Sequence, residues 1–409
     1  MRHEVVPLRH GGMRERNLAV VLGEIARRQP VSRARLAEMT GFTKTTVSSL
    51  VASLAAAGLV REDGPVRDGE RGRPATAVSV NGDRVAGLGL EVNVDYLAAC
   101  VLDLSRRIRH RHIVAAGNRG RDPESVIAAL TRLASRAIAA AGDQGLSVAG
   151  AVVALPGALD RESGRLRTAP NLGWSDVAAG ELLNAGLPPL PLPPDYDNEA
   201  NLAALGELWF GDGPDLGSYV HVSGEIGIGA GIVVEGRVFR GAHGFAGELG
   251  HVVVDPGGPP CACGGRGCLE QVAGQEAILR AAGMAETTAT SSASPDGPLS
   301  ALVARLERGD ERALSAVRRA GESLGHALAA AVNLLDPDTI VLGGIFSELA
   351  PWARPAAEAA LADRAGVLRR SPPRVAVSRL GGDAAALGAA SLVVERVLDD
   401  PARLLTRTT

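Results

Sequence analysis

Three of the chain's four cysteines fall within eight residues, as Cys261-Ala262-Cys263-Gly264-Gly265-Arg266-Gly267-Cys268. The intervening glycines let the backbone wrap tightly enough for three thiolates to converge on one point. Tetrahedral zinc needs a fourth ligand. His251, ten residues upstream in Gly247-Glu248-Leu249-Gly250-His251, is the best candidate. A three-cysteine, one-histidine set is closed, so the expected cofactor is a structural Zn2+ rather than a hydrolytic one. Cys100 lies in an apolar run and is expected in the core. Four cysteines in 409 residues exclude a disulfide framework and point to the cytoplasm.

Charge is unevenly distributed. The first 80 residues hold 13 basic and 8 acidic side chains, and the rest of the chain holds 30 and 38. A small basic head on an acidic body suggests that the head meets a polyanion. Within the head, Leu18, Val21, Leu22 and Ile25 have helical spacing, and Pro30 ends that helix. Ser32 and Thr43 are good N-caps for two further helices, with Gly41 permitting the turn between them. Leu36, Ala37, Val47 and Leu50 form the packing skeleton of a helix-turn-helix. Residues 59–61 and 77–80 read as paired strands around a charged loop, which makes a wing.

The outer face of the third helix carries short donors, short acceptors and Lys44, the chain's single lysine, with no acid among them. Such a helix enters the major groove, and two arginines in a compact wing suit a minor groove. The candidate DNA contacts are Ser32, Arg33, Thr43, Lys44, Thr45, Thr46, Ser48 and Ser49, together with Arg71, Gly72 and Arg73. Operator DNA is the expected partner.

After Asn81 the pattern becomes α/β. Residues 85–92, 96–103 and 108–114 read as consecutive strands, followed by a helix over 123–141 and a buried strand over 148–155. A second set starts with strands at 219–223, 229–234 and 237–239, and has a late buried strand at 339–342. Two such units in tandem predict two lobes with a cleft between them. Residues 188–194 are proline-rich and read as a loop. Residues 286–298 are rich in Thr, Ser and Ala and read as a mobile surface loop. No run of about 18 apolar residues is present, so no membrane partner is expected. Residues 1–12 are charged and lack the apolar stretch of a secretory signal.

Carboxylates flank the cysteine knuckle, with Glu248 before it and Glu270 after it. A third polar cluster, Asp197-Asn198-Glu199-Ala200-Asn201, opens a helix. Carboxylates and amides converging on one cleft suit vicinal hydroxyls, because each accepts or donates in a fixed direction. A monosaccharide is the expected ligand.

These stretches resemble the ROK family, which groups bacterial repressors with sugar kinases. The resemblance also rests on Leu155-Pro156-Gly157, Pro170-Asn171-Leu172, Gly227-Ile228-Gly229-Ala230-Gly231 and residues 338–344. It implies an actin/hexokinase-like body of two ribonuclease-H-like α/β lobes behind the winged helix-turn-helix head. It implies a head at 1–80 and a body at 81–409. Lobe one would take 81–197 plus a C-terminal helix at 384–400, and lobe two 198–383. It implies zinc on His251, Cys261, Cys263 and Cys268. It implies sugar contacts from Asn198, Glu199, Glu248, His251 and Glu270, with Asn171 and Gly157 beside them. Family members with such a head resemble the repressors of xylose and N-acetylglucosamine operons, and the expected assembly here is a homodimer or homotetramer.

Three departures argue against phosphoryl transfer. Kinases of the family carry Asp-x-Gly-Gly-Thr after the first strand, where this chain has Leu90-Glu91-Val92-Asn93-Val94. Their second phosphate loop reads Gly-Thr-Gly, where this chain has Glu225-Ile226-Gly227. Their catalytic base is an Asp, where this chain has Glu199. The expected activity is sugar-responsive repression without catalysis. The alternatives are an ATP-dependent sugar kinase with a regulatory head and a scaffold whose cleft binds a partner protein.

Overall fold

The computed structural model describes residues 10–66, 75–211, 216–284, 297–364 and 372–405. The head is three helices, His10–Arg28, Arg33–Thr40 and Lys44–Ala56, closed by a small antiparallel sheet. The Ser32 side chain accepts from the Arg35 N–H and starts the second helix. Thr43 accepts from Thr46 N–H and starts the third. Gly41 ends the second helix in the left-handed region, at φ 71°, where a Cβ would strain the backbone. Strands Val60–Val66 and Ala75–Val80 pair antiparallel, as expected of a wing. The wing tip, with Arg71, Gly72 and Arg73, lies outside the described residues, as does most of 286–298. Pro298, the last residue of that stretch, is the first residue of a helix rather than part of a loop.

The body repeats one topology twice. In the first sheet, Val85–Val92, Tyr96–Asp103 and Ile108–Ala115 form an antiparallel meander. Ser147–Leu155 and then Asp195–Asn198 add in parallel on the other side of the first strand. In the second sheet, Tyr219–Gly224, Ile228–Val234 and Arg237–Val238 form the meander, and Thr339–Gly344 and Arg374–Val377 add in parallel. The strand order is therefore identical in the two lobes. The first strand is buried along its whole length because helices cover both faces of its sheet. Ala86, Leu88 and Leu90 face the helix Pro123–Gly142. That helix is long and apolar enough to match a membrane span, but Val126, Ile127, Leu130 and Leu133 bury its apolar face against the sheet.

On the opposite face, Gly87 and Gly89 admit the helix Ala384–Asp399 to van der Waals contact. A Cβ on Gly89 would stand 2.0 Å from the Ala386 carbonyl oxygen. The same helix crosses Glu199–Phe210 at two more glycines: a Cβ on Gly388 would meet the Leu202 oxygen at 1.8 Å, and one on Gly206 the Ala384 oxygen at 2.3 Å. Helix His10–Arg28 packs on the far side of Ala384–Asp399. Leu18, Val21, Leu22 and Ile25 of the head join Ala386, Ala390, Val394 and Val397 in one hydrophobic cluster. Head and body thus share a core. Cys100 belongs to that cluster, and burial pushes its thiol up to about 12. It is an inert core residue, as its apolar strand suggested.

Candidate functional site

The cleft between the lobes is built at the start of helix Glu199–Phe210. Asn198 caps this helix: its Oδ1 accepts from the Ala200 N–H at 2.8 Å, and its Nδ2 donates to the Gly157 oxygen at 3.1 Å. Gly157 has φ 87°, and a Cβ there would sit 2.2 Å from the Thr168 oxygen. Asp197, 1% exposed, is held from three directions. Arg240 donates to it at 2.7 and 2.8 Å, Arg161 stands at 3.3 Å and Asn201 donates at 3.2 Å. Neither arginine follows from local spacing, since they come from 36 residues before and 43 residues after. Gly231 lets strand Ile228–Val234 approach the helix, because a Cβ there would stand 2.4 Å from the Ala200 oxygen.

The opposite wall comes from the knuckle. Glu270 opens a short helix, and its Oε2 accepts from the Ile228 N–H at 3.3 Å. Gly227 lies between Glu270 and Asn171: its Cβ would stand 2.4 Å from the Glu270 carboxylate and 2.6 Å from the Asn171 amide. Glu248, about half exposed at the rim, has Oε2 3.7 Å from His251 Nε2. The structure therefore places Gly157, Asn171, Asn198, Glu199, Glu248, His251 and Glu270 on one cleft. It adds Asn93 and Glu225, from residues 90–94 and 225–227.

The cleft is strongly acidic. Glu199, Glu225, Glu248 and Glu270 line it, and no Lys or Arg is among its lining residues. Burial pushes the Glu199 carboxyl up to about 8, helped by Glu248, Glu91 and Asp197. Burial does the same to Glu225, helped by Glu91, Asp95 and Glu199, again to about 8. Behind them Glu91, 2% exposed, is raised to about 7 by burial while accepting from the Tyr96 hydroxyl at 2.8 Å. Glu270 is also raised, by burial, although His251 opposes the shift.

These shifts predict a pH effect on stability. Unfolded, the three carboxyls of Glu91, Glu199 and Glu225 ionise near 4.5. Folded, they hold their protons to about 7 or 8, so the folded state binds more protons in between. Their contribution to stability is fully present below about pH 4.5 and is lost as pH rises through 7 to 8. Gln mimics the protonated form. The melting midpoint of zinc-loaded Glu225→Gln should gain on wild type by at least about 2 °C between pH 6 and 8.5. A constant difference across that range would refute the shift.

His251, Cys261, Cys263 and Cys268 offer one ligand atom each, all within 4.8 Å of one another. His251 Nδ1 lies 3.7 Å from Cys261 Sγ, and Cys263 Sγ lies 3.7 Å from Cys268 Sγ. A zinc tetrahedron with Zn–S of about 2.3 Å has edges of about 3.8 Å, so the donor set fits. The Cys268 thiol is pushed up to about 12 by burial and by its two neighbouring thiols, a repulsion that a divalent cation at the centre reverses. The Gly265 N–H donates to Cys263 Sγ and lowers that thiol. Gly267 is required by space, since a Cβ there would lie 1.5 Å from the Asp255 oxygen.

At the DNA end, Thr43, Lys44, Thr45 and Ser49 are exposed along the third helix of the head, and Thr46 and Ser48 are partly so. Ser32 is 8% exposed and committed to its cap, so it offers backbone and packing rather than an open side chain. Arg33 is paired with Glu62. Lys44 makes no ion pair among the described residues.

Comparison with known proteins matches these two ends. Residues 87–396 match the ROK family, and residues 19–72 match the MarR family. The putative xylose repressor of Caldicellulosiruptor sp. (strain Rt8B.4) is 30% identical over 96% of this chain and 98% of its own length. The crystal structure of a ROK family transcriptional regulator, a homolog of the E. coli MLC protein, superposes with TM-score 0.79 and 25% identity over 96% of this chain and 99% of that one. A ROK family glucokinase from Streptomyces griseus, in complex with glucose and AMPPNP, superposes with TM-score 0.62 and 26% identity, covering 75% of this chain and 98% of the kinase. The chain belongs to the ROK family and joins that family's two-lobed, sugar-kinase-like body to a winged helix-turn-helix head.

Proposed function

We propose that the chain is a sugar-responsive repressor that binds operator DNA through its head and a monosaccharide in the cleft, without phosphoryl transfer. The observation that carries this reading is the pairing in one chain of an exposed polar recognition helix with a cleft of carboxylates and amides. Relatives named as xylose repressors span nearly its whole length. The metal in the knuckle is zinc, held by His251, Cys261, Cys263 and Cys268. Its task is to fix the wall that carries Glu248, His251 and Glu270.

Three features support the absence of catalysis. Val92 and Asn93 stand where a phosphate loop needs glycines. No Lys or Arg is among the described residues that line the cleft to meet a triphosphate. Glu199 keeps its proton to about 8, so at neutral pH it donates a hydrogen bond rather than removing a proton.

The repressor acts in the cytoplasm as a homodimer or larger assembly, with two recognition helices about 34–36 Å apart on an inverted repeat. Sugar and operator each change the other's affinity by the same factor.

Fluorescence anisotropy tests this reading, using zinc-loaded protein on DNA from upstream of its own gene, titrated with and without a panel of sugars. One sugar should shift the midpoint several-fold. Binding no tighter than to random DNA, whatever the sugar, would sink the repressor reading. Steady coupled turnover with ATP and a sugar would establish the kinase instead. In the same assay Lys44→Ala should weaken binding to every sequence about tenfold and reduce the salt slope by about one. Loss confined to one base position would place Lys44 on a base edge.

A further inference from the structure

We infer that the effector is an unphosphorylated sugar and that the cleft discriminates against its phosphate ester. The inference rests on the sugar-sensing reading and narrows it. Xylose, glucose, N-acetylglucosamine and their phosphates share the hydroxyls that carboxylates and amides recognise, so the sequence leaves the choice between them open. The structure separates them by what is missing from the cleft and by what its neighbouring cations already do.

A phosphate ester carries about −1.5 to −2 charges at neutral pH and needs cations or free N–H groups. The cleft lining holds four glutamates and no Lys or Arg, with His251 its one candidate cation and already in the metal cluster. Arg161 and Arg240 line a neighbouring cavity of about 780 Å³ that shares Gly244 with the cleft. Both are turned onto Asp197. Swinging either toward a phosphate would take a partner from a carboxylate that is 1% exposed, and burying an unpaired charge is costly.

Three backbone donors at the cleft are also occupied. The Ile228 N–H is given to Glu270, the Ala200 N–H to the Asn198 cap, and the Glu225 N–H to the Gly227 oxygen. A phosphate would therefore meet carboxyl groups with no Lys or Arg among the described lining residues to offset them. Glu199, Glu225 and Glu91 already hold protons against one another. A neutral pyranose meets no such opposition, because its hydroxyls can donate to a carboxylate and accept from a carboxylic acid or an amide.

Calorimetric titration of the zinc-loaded full-length protein with matched pairs tests this. The pairs are D-glucose and its 6-phosphate, N-acetyl-D-glucosamine and its 6-phosphate, and D-xylose and its 1-phosphate. In whichever pair binds, the free sugar should bind at least about a hundredfold more tightly. An ester that binds as tightly as its free sugar, or more tightly, would overturn the inference and leave sugar sensing standing. If no member of any pair binds, sugar sensing itself fails and the inference goes with it. At pH 9, where Glu225 is ionised, Glu225→Gln removes one charge and should narrow the ratio several-fold. A large ratio that this variant leaves untouched would mean that shape rather than charge excludes the ester, and would overturn the electrostatic account.

Discussion

Cys268→Ser protein should carry almost no zinc after dialysis against a mild chelator, where wild type keeps about one ion per chain. It should also bind its sugar at least about tenfold more weakly. The size of the effect follows from where Cys268 stands. It is 1% exposed, and its bridge to Val253 closes the loop that begins at the rim of the cleft. The next residue, Leu269, is fully buried, and the one after is Glu270. Without the ion, nothing draws His251, Cys261 and Cys263 together, and the loop between Gly247 and Glu270 loses its centre. Glu248, His251 and Glu270 then lose their common frame. Metal analysis and calorimetry on one preparation check both parts. Zinc retained at full stoichiometry would mean that other groups hold the ion, and sugar affinity unchanged in zinc-free protein would mean that the knuckle does not position the wall. Cys100→Ala, far from the knuckle in the core, should keep its zinc.

Gly388→Ala should destabilise the protein by about 3 kcal/mol or more, by overpacking rather than by loss of a contact. Ala is normally the better helix residue by about 1 kcal/mol, so the local effect has the opposite sign and the tertiary clash must win. The added methyl would stand 1.8 Å from the Leu202 oxygen and 2.8 Å from the Gly206 nitrogen, and both are backbone atoms that cannot rotate away. The helices must separate, and Glu199–Phe210 carries the cleft residues Asn198 and Glu199 at its start. Thermal unfolding should therefore shift by several degrees, with weakened sugar binding in the protein that remains folded. Gly142→Ala is the control. It also lies in a helix, a Cβ there meets nothing within 4 Å, and it should be neutral or slightly stabilising. Equal melting of the two variants would remove the close crossing as a determinant of stability.

What sequence reveals here follows the range of the interaction. The head helices were legible because Ser32 and Thr43 cap them and Gly41 and Gly58 stop them, all within a few residues. The long strands were legible because burial on both faces leaves unbroken apolar runs. The knuckle was legible because its ligands are close in sequence. The small sheet of Ala158–Asp160, Arg165–Ala169 and Trp174–Val177 was missed, since its strands are three to five residues long and carry mixed charge. The clamp of Arg161 and Arg240 on Asp197 was missed because no spacing links them. Glu91 and Glu225 were visible singly, as residues that do not suit a phosphate loop. Their mutual influence exists only once two lobes bring two distant turns together. The joint between head and body was hidden for the same reason: Leu18, Val21, Leu22 and Ile25 read as an ordinary apolar stripe, and nothing in them names the helix at the other end of the chain.

That joint makes the DNA-binding module discontinuous in the gene. Its recognition helices and the helices that seat them are encoded far apart, since Leu404 and Leu405 pack against the same cluster as Leu18 and Val21. A premature stop codon before residue 384 would strip both the head and the first sheet of the helix they share. Such an allele should lose cleft and operator binding together. Grafting this head onto a relative's body would in turn require carrying over the final helices, so recombination at the apparent boundary near residue 80 would yield mismatched halves.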